Sequence, residues 1–300
     1  MKFSVWPNIA GPWSDLLSLT THAEKTGWDG IWVADHFMPN APAPADLGPT
    51  NEAWTTIAAL AASVPRVRIG TLVTGNTYRH PAVLAKAAAT VDNISGGRLV
   101  LGLGSGWQEN EHAGYGLPFY TVGNRLRRLE EACQVIKGLF SNERTNFAGK
   151  YYTLTDAPLN PKPVQNPLPL LIGGGGEQLT LKIAATYADE WNVWGSPQVL
   201  AQKGAILEQH CAAIGRDPKT IRRSAQAMLT LTDDKALADK MRGGGRPTIV
   251  GNVAEVQEIV GAYRDAGVDE LIIPDFNLGN AEQKRETYDR FINEVAKPFR

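Results

Sequence analysis

The chain has 300 residues, of which 43% are hydrophobic and 20% are charged, and its formal net charge is -1. This composition is typical of a soluble globular protein with a sizeable core, and it excludes a disordered or fibrous chain. The nearly balanced charge gives no electrostatic footprint for nucleic acid or for an anionic membrane surface, so we expect neither as a partner.

Cysteine usage and hydropathy indicate the compartment. Cys133 and Cys211 lack CxxC spacing, which indicates neither a disulfide framework nor a thiolate metal site. The N-terminus "MKFSVWPNIAGPW" lacks a signal-peptide pattern, and no stretch approaches the roughly 18 consecutive apolar residues of a spanning helix. We therefore expect a cytoplasmic location and no association with a membrane.

Segments typical of strands and of helices alternate along the chain. The predicted strands cover residues 2–6, 30–34, 67–74, 98–104, 169–172, 190–194, 220–231 and 269–276. The predicted helices cover residues 13–27, 53–64, 81–95, 123–140, 177–188, 196–215, 252–267 and 281–299. The proline-rich connection at 154–169 is long for a simple loop and predicts an excursion over one face, and the glycine-rich segment at 241–251 predicts a mobile loop.

This alternation predicts the fold class. Strands separated by helices pair in parallel through right-handed crossovers. Eight such pairs without a break in composition indicate one closed (β/α)8 TIM barrel, a single α/β domain over residues 1–300 with insertion segments at its C-terminal face. A doubly wound open sheet is the alternative. In a barrel, the active residues lie on the loops that follow the carboxyl ends of the strands.

Polar residues and glycines follow several of the predicted strands. Asp35 and His36 follow the second strand, "GSGWQENEH" follows the fourth, and "GGGGE" follows the fifth. Because imidazole titrates near neutral pH, a histidine at this edge of a barrel is a candidate proton donor or acceptor. The alternative is a structural histidine paired with the neighbouring aspartate.

The segment after the fourth strand gives little support for a nucleotide-binding motif or for a metal site. The GxGxG pattern at 102–106 is similar to a dinucleotide fingerprint and to the first methyltransferase motif, but Trp107 and polar residues follow it instead of a helix. Glu109, Glu111 and His112 have no known ligand spacing. We therefore interpret them as a charge cluster at the start of a helix and predict no metal.

Five segments together resemble the bacterial luciferase-like superfamily of flavin and deazaflavin enzymes. They are "GWDGIWVADHF", "VRIGTLVTG", "HPAVLAKAAATVDNISGGRLVLGLGSGW", "PLLIGGGGE" and "YRDAGVDELIIP", and the likeness extends from about residue 2 to 275. The "ADHF" and "GSGW" segments are most similar to the branch that uses the deazaflavin coenzyme F420. The resemblance implies a (β/α)8 barrel that holds the ring of the cofactor at the C-terminal face of its strands.

The resemblance also implies roles for individual positions. The matching cofactor-binding positions are Asp35, Leu72, Val73, Thr74, Trp107, Asn110, Gly173, Gly174 and Gly175. A non-proline cis peptide of the family maps onto Leu72–Val73, and the glycine turn that accepts the cofactor phosphate maps onto residues 173–175. Bare amide groups before a helix that starts near Glu177 would form an anion cradle; a flexible turn is the alternative.

The activity implied by the resemblance is hydride transfer between the deazaflavin C5 and a small organic substrate, with His36 exchanging the accompanying proton. One alternative is an FMN-dependent monooxygenase that uses O2, and another is a non-catalytic barrel that binds a flavin or deazaflavin. Some deazaflavin-dependent sugar-phosphate dehydrogenases of the superfamily have an acidic residue where this chain has Trp107, which counts against that activity. The resemblance also implies a homodimer.

Overall fold

A computed structural model describes residues 1–40, 48–242 and 245–300. Its strands are β1 (Lys2–Trp6), β2 (Gly30–Val33), β3 (Arg68–Thr71), β4 (Thr74–Gly75), β5 (Leu99–Gly104), β6 (Arg144–Ala148), β7 (Thr153–Pro158), β8 (Leu170–Gly173), β9 (Glu190–Trp194), β10 (Arg222–Gln226), β11 (Met228–Leu231), β12 (Thr248–Gly251) and β13 (Glu270–Pro274). Its helices are α1 (Trp13–Thr26), α2 (Ala53–Ser63), α3 (Pro81–Ser95), α4 (Glu109–Tyr115), α5 (Val122–Ser141), α6 (Thr180–Tyr187), α7 (Pro197–Ala213), α8 (Lys235–Met241), α9 (Val253–Asp265) and α10 (Ala281–Arg290).

The alternation of parallel strands and helices is that of the (β/α)8 barrel class predicted from the sequence. Each of the eight predicted strands corresponds to a strand of the structure, and the third is divided into β3 and β4 on either side of residues 72–73. Among the described residues, no helix combines the length and the apolarity needed to cross a membrane.

The contacts of the chain group it into two compact units. The first unit contains Met1–Asn8, Pro12–Trp32 and Gly174–Arg300, and the second contains Ile9–Gly11 and Val33–Gly173. The organisation as one domain remains a prediction.

In the first unit, β1 pairs in parallel with both β13 and β2, and β10 pairs in parallel with both β13 and β9. The register aligns Trp6 with Pro274 and Gln226 with Trp194, so the carboxyl ends of these strands lie at one edge. Phe3, Val5 and Leu271 are fully buried, as expected for parallel strands covered on both faces.

In the second unit, β5 is the central strand. It pairs in parallel with β3, with β4 and with β8, and the register aligns Gly104 with Gly75. All six residues of β5 are buried. The antiparallel hairpin of β6 and β7 belongs to the same unit.

Local chemistry sets several of the helix boundaries that the sequence predicts. Helix α1 ends where Gly27 takes a left-handed conformation with φ of 99°, which glycine adopts without steric cost. Proline occupies the first position of α3 and of α7, where its missing N–H is not needed. Ser196 caps α7 by accepting a hydrogen bond from the Val199 amide.

Several short elements differ from the sequence prediction. The predicted seventh strand at 220–231 breaks at Ala227, because the β11 part pairs with β12 instead of extending β10. Strand β12 also occupies part of the segment predicted to be a mobile loop, of which residues 243–244 lie outside the described residues. The β6–β7 hairpin is mostly exposed and has no alternating apolar pattern, so periodicity could not reveal it.

Strands β3 and β5 pack closely at Thr71 and Gly102, so a side chain added at Gly102 should lower the stability of the fold. Thr71 Oγ1 donates a hydrogen bond of 2.7 Å to the Gly102 carbonyl and accepts one of 3.1 Å from the Gly102 amide. A Cβ on residue 102 would overlap the Thr71 carbonyl oxygen, so the backbone of Gly102→Ala must shift. We expect the free energy of unfolding to fall by about 1–3 kcal/mol, measured by urea denaturation.

The matched control is Gly11→Ala, because no atom lies within 4 Å of a Cβ built at that position. Its free energy of unfolding should stay within about 0.5 kcal/mol of the unmodified chain. Equal stabilities for the two variants would contradict the close approach of β3 and β5.

Candidate active site

The peptide bond between Leu72 and Val73 is cis, as the resemblance implies. The Leu72 amide donates to the Val33 carbonyl at 2.8 Å, which ties this segment to the end of β2. A Cβ on Gly104 would lie 2.7 Å from Val73 Cγ2, and one on Gly173 would lie 2.8 Å from Val73 Cγ1. The missing side chains of both glycines therefore make room for Val73.

Thr74 is the first residue of β4 and Asp35 lies just after the end of β2, and both are buried. Trp54 Nε1 donates to Thr74 Oγ1 at 2.9 Å. The Arg79 guanidinium donates two hydrogen bonds to the Asp35 carboxylate, of 2.6 and 3.2 Å, and it also pairs with Glu52. A forked pair of this kind fixes the orientation of the carboxylate.

His36 contacts a buried carboxylate. Its Nδ1 lies 2.8 Å from Oε1 of Glu111, and its side chain is 26% exposed whereas that of Glu111 is fully buried. The same carboxylate accepts a hydrogen bond of 2.7 Å from the Phe37 amide and another from the Tyr78 hydroxyl. Glu111 therefore joins the chain after β2, the chain after β4 and helix α4 at one point.

The surroundings shift the pKa values of both acids in this cluster. Burial alone would raise the pKa of Glu111, but hydrogen bonds from His36, Tyr78 and the Phe37 amide outweigh it and lower that pKa below its usual value. Burial, with the neighbouring Glu111 carboxylate, raises the pKa of the Tyr78 hydroxyl. Glu111 is therefore ionised and Tyr78 is protonated at neutral pH.

Trp107 lies beside His36, whereas Asn110 is held elsewhere. The ring of Trp107 is 59% exposed, and its centroid lies 5.4 Å from that of His36 in an edge-to-face arrangement. Asn110 Nδ2 donates to the Pro39 carbonyl at 3.0 Å. Gln108 Nε2 likewise donates to the Met38 carbonyl at 2.8 Å, so α4 is attached to the chain that follows His36.

The glycine turn of the first unit follows β8. Gly174 has φ of 124°, its amide donates to the Asn192 carbonyl at 2.9 Å, and its carbonyl accepts from Trp191 Nε1 at 2.9 Å. A Cβ on Gly175 would lie 3.0 Å from Val193 Cγ2. Helix α6 begins at Thr180, so the predicted start near Glu177 is wrong, because residues 177–179 form a turn first.

Two buried amide oxygens at strand ends have no hydrogen-bond donor among the described residues. Asn76 Oδ1 lies just after β4 in the second unit, and Gln226 Oε1 lies at the end of β10 in the first unit. Each residue is only 3% exposed. Because an unpaired buried polar atom is costly, each oxygen is suited to accept a hydrogen bond from a bound ligand. Within the described ranges, no three His, Cys, Asp or Glu side chains are grouped so that they could hold a metal ion.

Sequence reasoning missed the roles of Glu111 and Tyr78. The prediction that Glu109, Glu111 and His112 mark a helix start is correct, since α4 begins at Glu109. However, Glu109 is exposed whereas Glu111 and His112 are fully buried, so only part of this cluster faces solvent. His36 and Glu111 are 75 positions apart, and no local pattern reports such a pairing.

Comparison with known proteins identifies the family. The model of the luciferase-like monooxygenase family matches residues 1–255. The chain is 34% identical over 231 residues to an F420-dependent glucose-6-phosphate dehydrogenase of Kineococcus radiotolerans, covering 74% of this chain and 66% of that protein. It is also 34% identical over 220 residues to an F420-dependent hydroxymycolic acid dehydrogenase of Mycobacterium tuberculosis, covering 72% and 59%.

A third relative, an F420-dependent glucose-6-phosphate dehydrogenase of Amycolatopsis mediterranei, is 40% identical over 167 residues, covering 54% of this chain and 48% of that protein. The chain thus spans about half to two thirds of the length of these curated relatives.

Solved structures share the fold at lower identity. An F420-dependent secondary alcohol dehydrogenase superposes with a TM-score of 0.82 at 21% identity, covering 98% of each chain. A monooxygenase from Streptomyces bottropensis superposes with a TM-score of 0.83 at 18% identity, covering all of both chains. With the family model matching 255 of the 300 residues, the chain belongs to the luciferase-like monooxygenase family and has its (β/α)8 barrel fold.

Proposed function

We propose that the chain is an F420-dependent oxidoreductase that transfers a hydride between the deazaflavin C5 and a small organic substrate. Relatives at 34–40% identity are named F420-dependent dehydrogenases, which supports this choice of cofactor. The observation that carries the proposal is the pairing of the half-buried His36 with the buried Glu111 carboxylate. An imidazole held in this way at a strand end is equipped to exchange a proton with a substrate.

Features of the second unit fit the ring of the proposed cofactor. In the second unit, Leu72, Val73 and Thr74 would lie against the ring, and Asn76 Oδ1 would accept a hydrogen bond from a polar ring group. When bound, F420 gives or accepts a hydride at C5, so the accompanying proton is left to the protein.

In the first unit, the glycine turn would receive the phosphate. The Gly174 amide already donates to Asn192, so the proposed phosphate contacts are the amides of Gly175 and Gly176. Bare backbone groups at such a turn form an anion-binding concavity.

Two predicted cofactor contacts take altered roles in this proposal. Because Arg79 holds the Asp35 carboxylate, we assign Asp35 the role of fixing the end of β2. Because the Asn110 amide is tied to Pro39, we assign Asn110 the role of fixing α4 against the same segment. Both roles keep His36 in place, since its backbone lies between these anchors.

His36 and Trp107 define the proposed substrate side. With Nδ1 of His36 engaged by Glu111, Nε2 is the nitrogen that can receive the hydroxyl proton of an alcohol substrate or return it to a carbonyl product. The exposed Trp107 ring beside it offers an apolar surface where a carboxylate would be expected for a sugar phosphate. We therefore propose a small substrate with an apolar group next to the reacting carbon.

We also propose a cytoplasmic homodimer. The second unit has an apolar groove of about 760 Å³ lined mainly by α2, α3 and β7, and two of its lining residues, Val83 and Ile94 of α3, are largely exposed. Exposed apolar surface of this kind supports association with a second copy. Light scattering of the purified chain would give the molar mass in solution and distinguish the dimer from a monomer.

The reaction itself tests the proposed function. Under anaerobic conditions, the purified chain should reduce F420 with members of a panel of secondary alcohols and aldehydes, or oxidise reduced F420 with enones or nitroaromatics. The change in deazaflavin absorbance measures this turnover. Turnover that requires FMN and O2 would instead favour the monooxygenase alternative, and a complete lack of turnover with either cofactor would favour a non-catalytic barrel.

Replacement of His36 tests its role in proton exchange. In His36→Ala, kcat should fall by about 10² to 10⁴, because the substrate proton loses its acceptor. The dissociation constant of F420, measured by fluorescence titration, should stay within a factor of about three, since the proposed role involves substrate and not cofactor.

The matched control for this variant is His22→Ala. His22 lies on α1 and its Nε2 contacts Asp289 at 2.7 Å, and neither residue is assigned to the proposed site. Its kcat should equal that of the unmodified chain. Unchanged turnover in His36→Ala would exclude the proposed role.

A further inference from the structure

We propose that Glu111 is a positioning residue that fixes His36 in the tautomer with its proton on Nδ1, so that the Nε2 lone pair faces the substrate proton. This inference rests on the proposed function, because it assigns the nitrogen of His36 that takes part in proton exchange. Glu111 acts through His36 and does not contact the reacting atoms.

The hydrogen-bonding capacities of the two groups decide the tautomer. An ionised carboxylate can only accept hydrogen bonds. Oε1 of Glu111 lies 2.8 Å from Nδ1 of His36, so this nitrogen must be the one that donates. A neutral imidazole has one donor and one acceptor nitrogen, and Nε2 therefore carries the lone pair.

The surroundings of Glu111 keep its carboxylate ionised. It accepts hydrogen bonds from His36, from the Phe37 amide and from the Tyr78 hydroxyl. Together these donors lower its pKa although the side chain is fully buried. A protonated Glu111 could donate to His36 and reverse the tautomer, and the three donors oppose that state.

The same carboxylate also fixes the position of the ring. One oxygen contacts the imidazole of His36, and the other accepts from the backbone amide of the next residue, Phe37. The Glu111 carboxylate thus holds both the imidazole ring of His36 and the backbone next to it. Helix α4 supplies that group, and the Gln108 and Asn110 amides attach the helix to the carbonyls of Met38 and Pro39.

A purely structural role for Glu111 does not account for this arrangement. Burial of a carboxylate is costly unless it is fully hydrogen-bonded, and an apolar side chain would fill the same space without that cost. One of the hydrogen bonds that compensate for the burial joins Glu111 to the imidazole of His36, which is partly exposed. Orientation of that imidazole is a benefit that an apolar residue could not supply.

Nitrogen-15 NMR of the apoprotein tests the inference without cofactor or substrate. The chain has five histidines, and the signals lost in His36→Ala identify those of His36. At a pH where the ring is neutral, we expect a protonated Nδ1 and an unprotonated Nε2. In Glu111→Gln, the neutral amide can donate as well as accept, so the population with the proton on Nε2 should rise.

Kinetics of the same variant provide the second readout. In Glu111→Gln, kcat should fall by about 10- to 100-fold, whereas KM and the F420 dissociation constant should change by less than about threefold. Glu109→Gln is the matched control, because Glu109 is an exposed residue at the start of the same helix. It should retain the tautomer and the kcat of the unmodified chain.

Tyr78→Phe separates the two partners of the carboxylate. It removes one donor from Glu111 but keeps the contact between the carboxylate and His36, so the proton should stay on Nδ1. If Glu111→Gln does not fold, the spectra of the unmodified chain and of Tyr78→Phe still decide the question. A neutral His36 with its proton on Nε2 in the unmodified chain would overturn the inference.

The outcomes distinguish this inference from the proposed function. If the tautomer depends on Glu111 but no F420 turnover occurs, the positioning of His36 is supported and the proposed function fails. If F420 turnover occurs but Glu111→Gln keeps both tautomer and kcat, the proposed function is supported and the inference is overturned.

Discussion

The packing of Val73 among glycines is the constraint on which the second unit of this protein depends. The Val73 side chain occupies space that a Cβ on Gly104 or Gly173 would fill, and a Cβ on Gly102 would come even closer to the Thr71 carbonyl oxygen. These glycines lie on β5 and β8, at the strands that pair beside β4. The short β4 can therefore follow the cis peptide without losing its pairing. This packing brings Thr74, Asn76 and Tyr78 to the edge of the sheet where the candidate site lies.

A second layer of organisation comes from buried charge. In one network, Arg79 donates hydrogen bonds to the carboxylates of Asp35 and Glu52. In the other, the carboxylate of Glu111 accepts hydrogen bonds from His36, Phe37 and Tyr78. Both networks connect the segment after β2 with the segment after β4. Buried charges are tolerated when they are paired and hydrogen-bonded. The three donors lower the pKa of Glu111, whereas burial raises the pKa of Asp35 although Arg79 pairs with it. These hydrogen bonds hold the partly exposed imidazole of His36 in one orientation, which side-chain packing alone would not do.

The sequence predicted the fold well because its signals are local. Alternating apolar strands and amphipathic helices identified eight strand–helix pairs, and Gly27, Pro81 and Ser196 mark helix boundaries through their own backbone or side-chain chemistry. The position of His36 followed from the barrel rule, which needs only the end of a strand. The partner of His36 did not, because Glu111 lies 75 positions away on a short helix and is recognisable only by its burial.

The four consecutive glycines, residues 173–176, also make contacts that the sequence alone does not reveal. From the sequence, Gly173, Gly174 and Gly175 are predicted to form one anion cradle, with a flexible turn as the alternative. In the structure, Gly173 makes room for Val73, Gly174 has a positive φ and an engaged amide, and Gly175 lies close to Val193. Packing and backbone conformation thus account for much of this glycine run. In the proposed function, a bound phosphate would additionally accept hydrogen bonds from the amides of Gly175 and Gly176.

The proposed function depends on which cofactor the chain binds, and equilibrium binding of F420 and FMN to the purified apoprotein measures this preference. We expect F420 to bind more tightly than FMN by at least a factor of about 10, a difference of about 1.4 kcal/mol. Tight binding of FMN without measurable binding of F420 would contradict it.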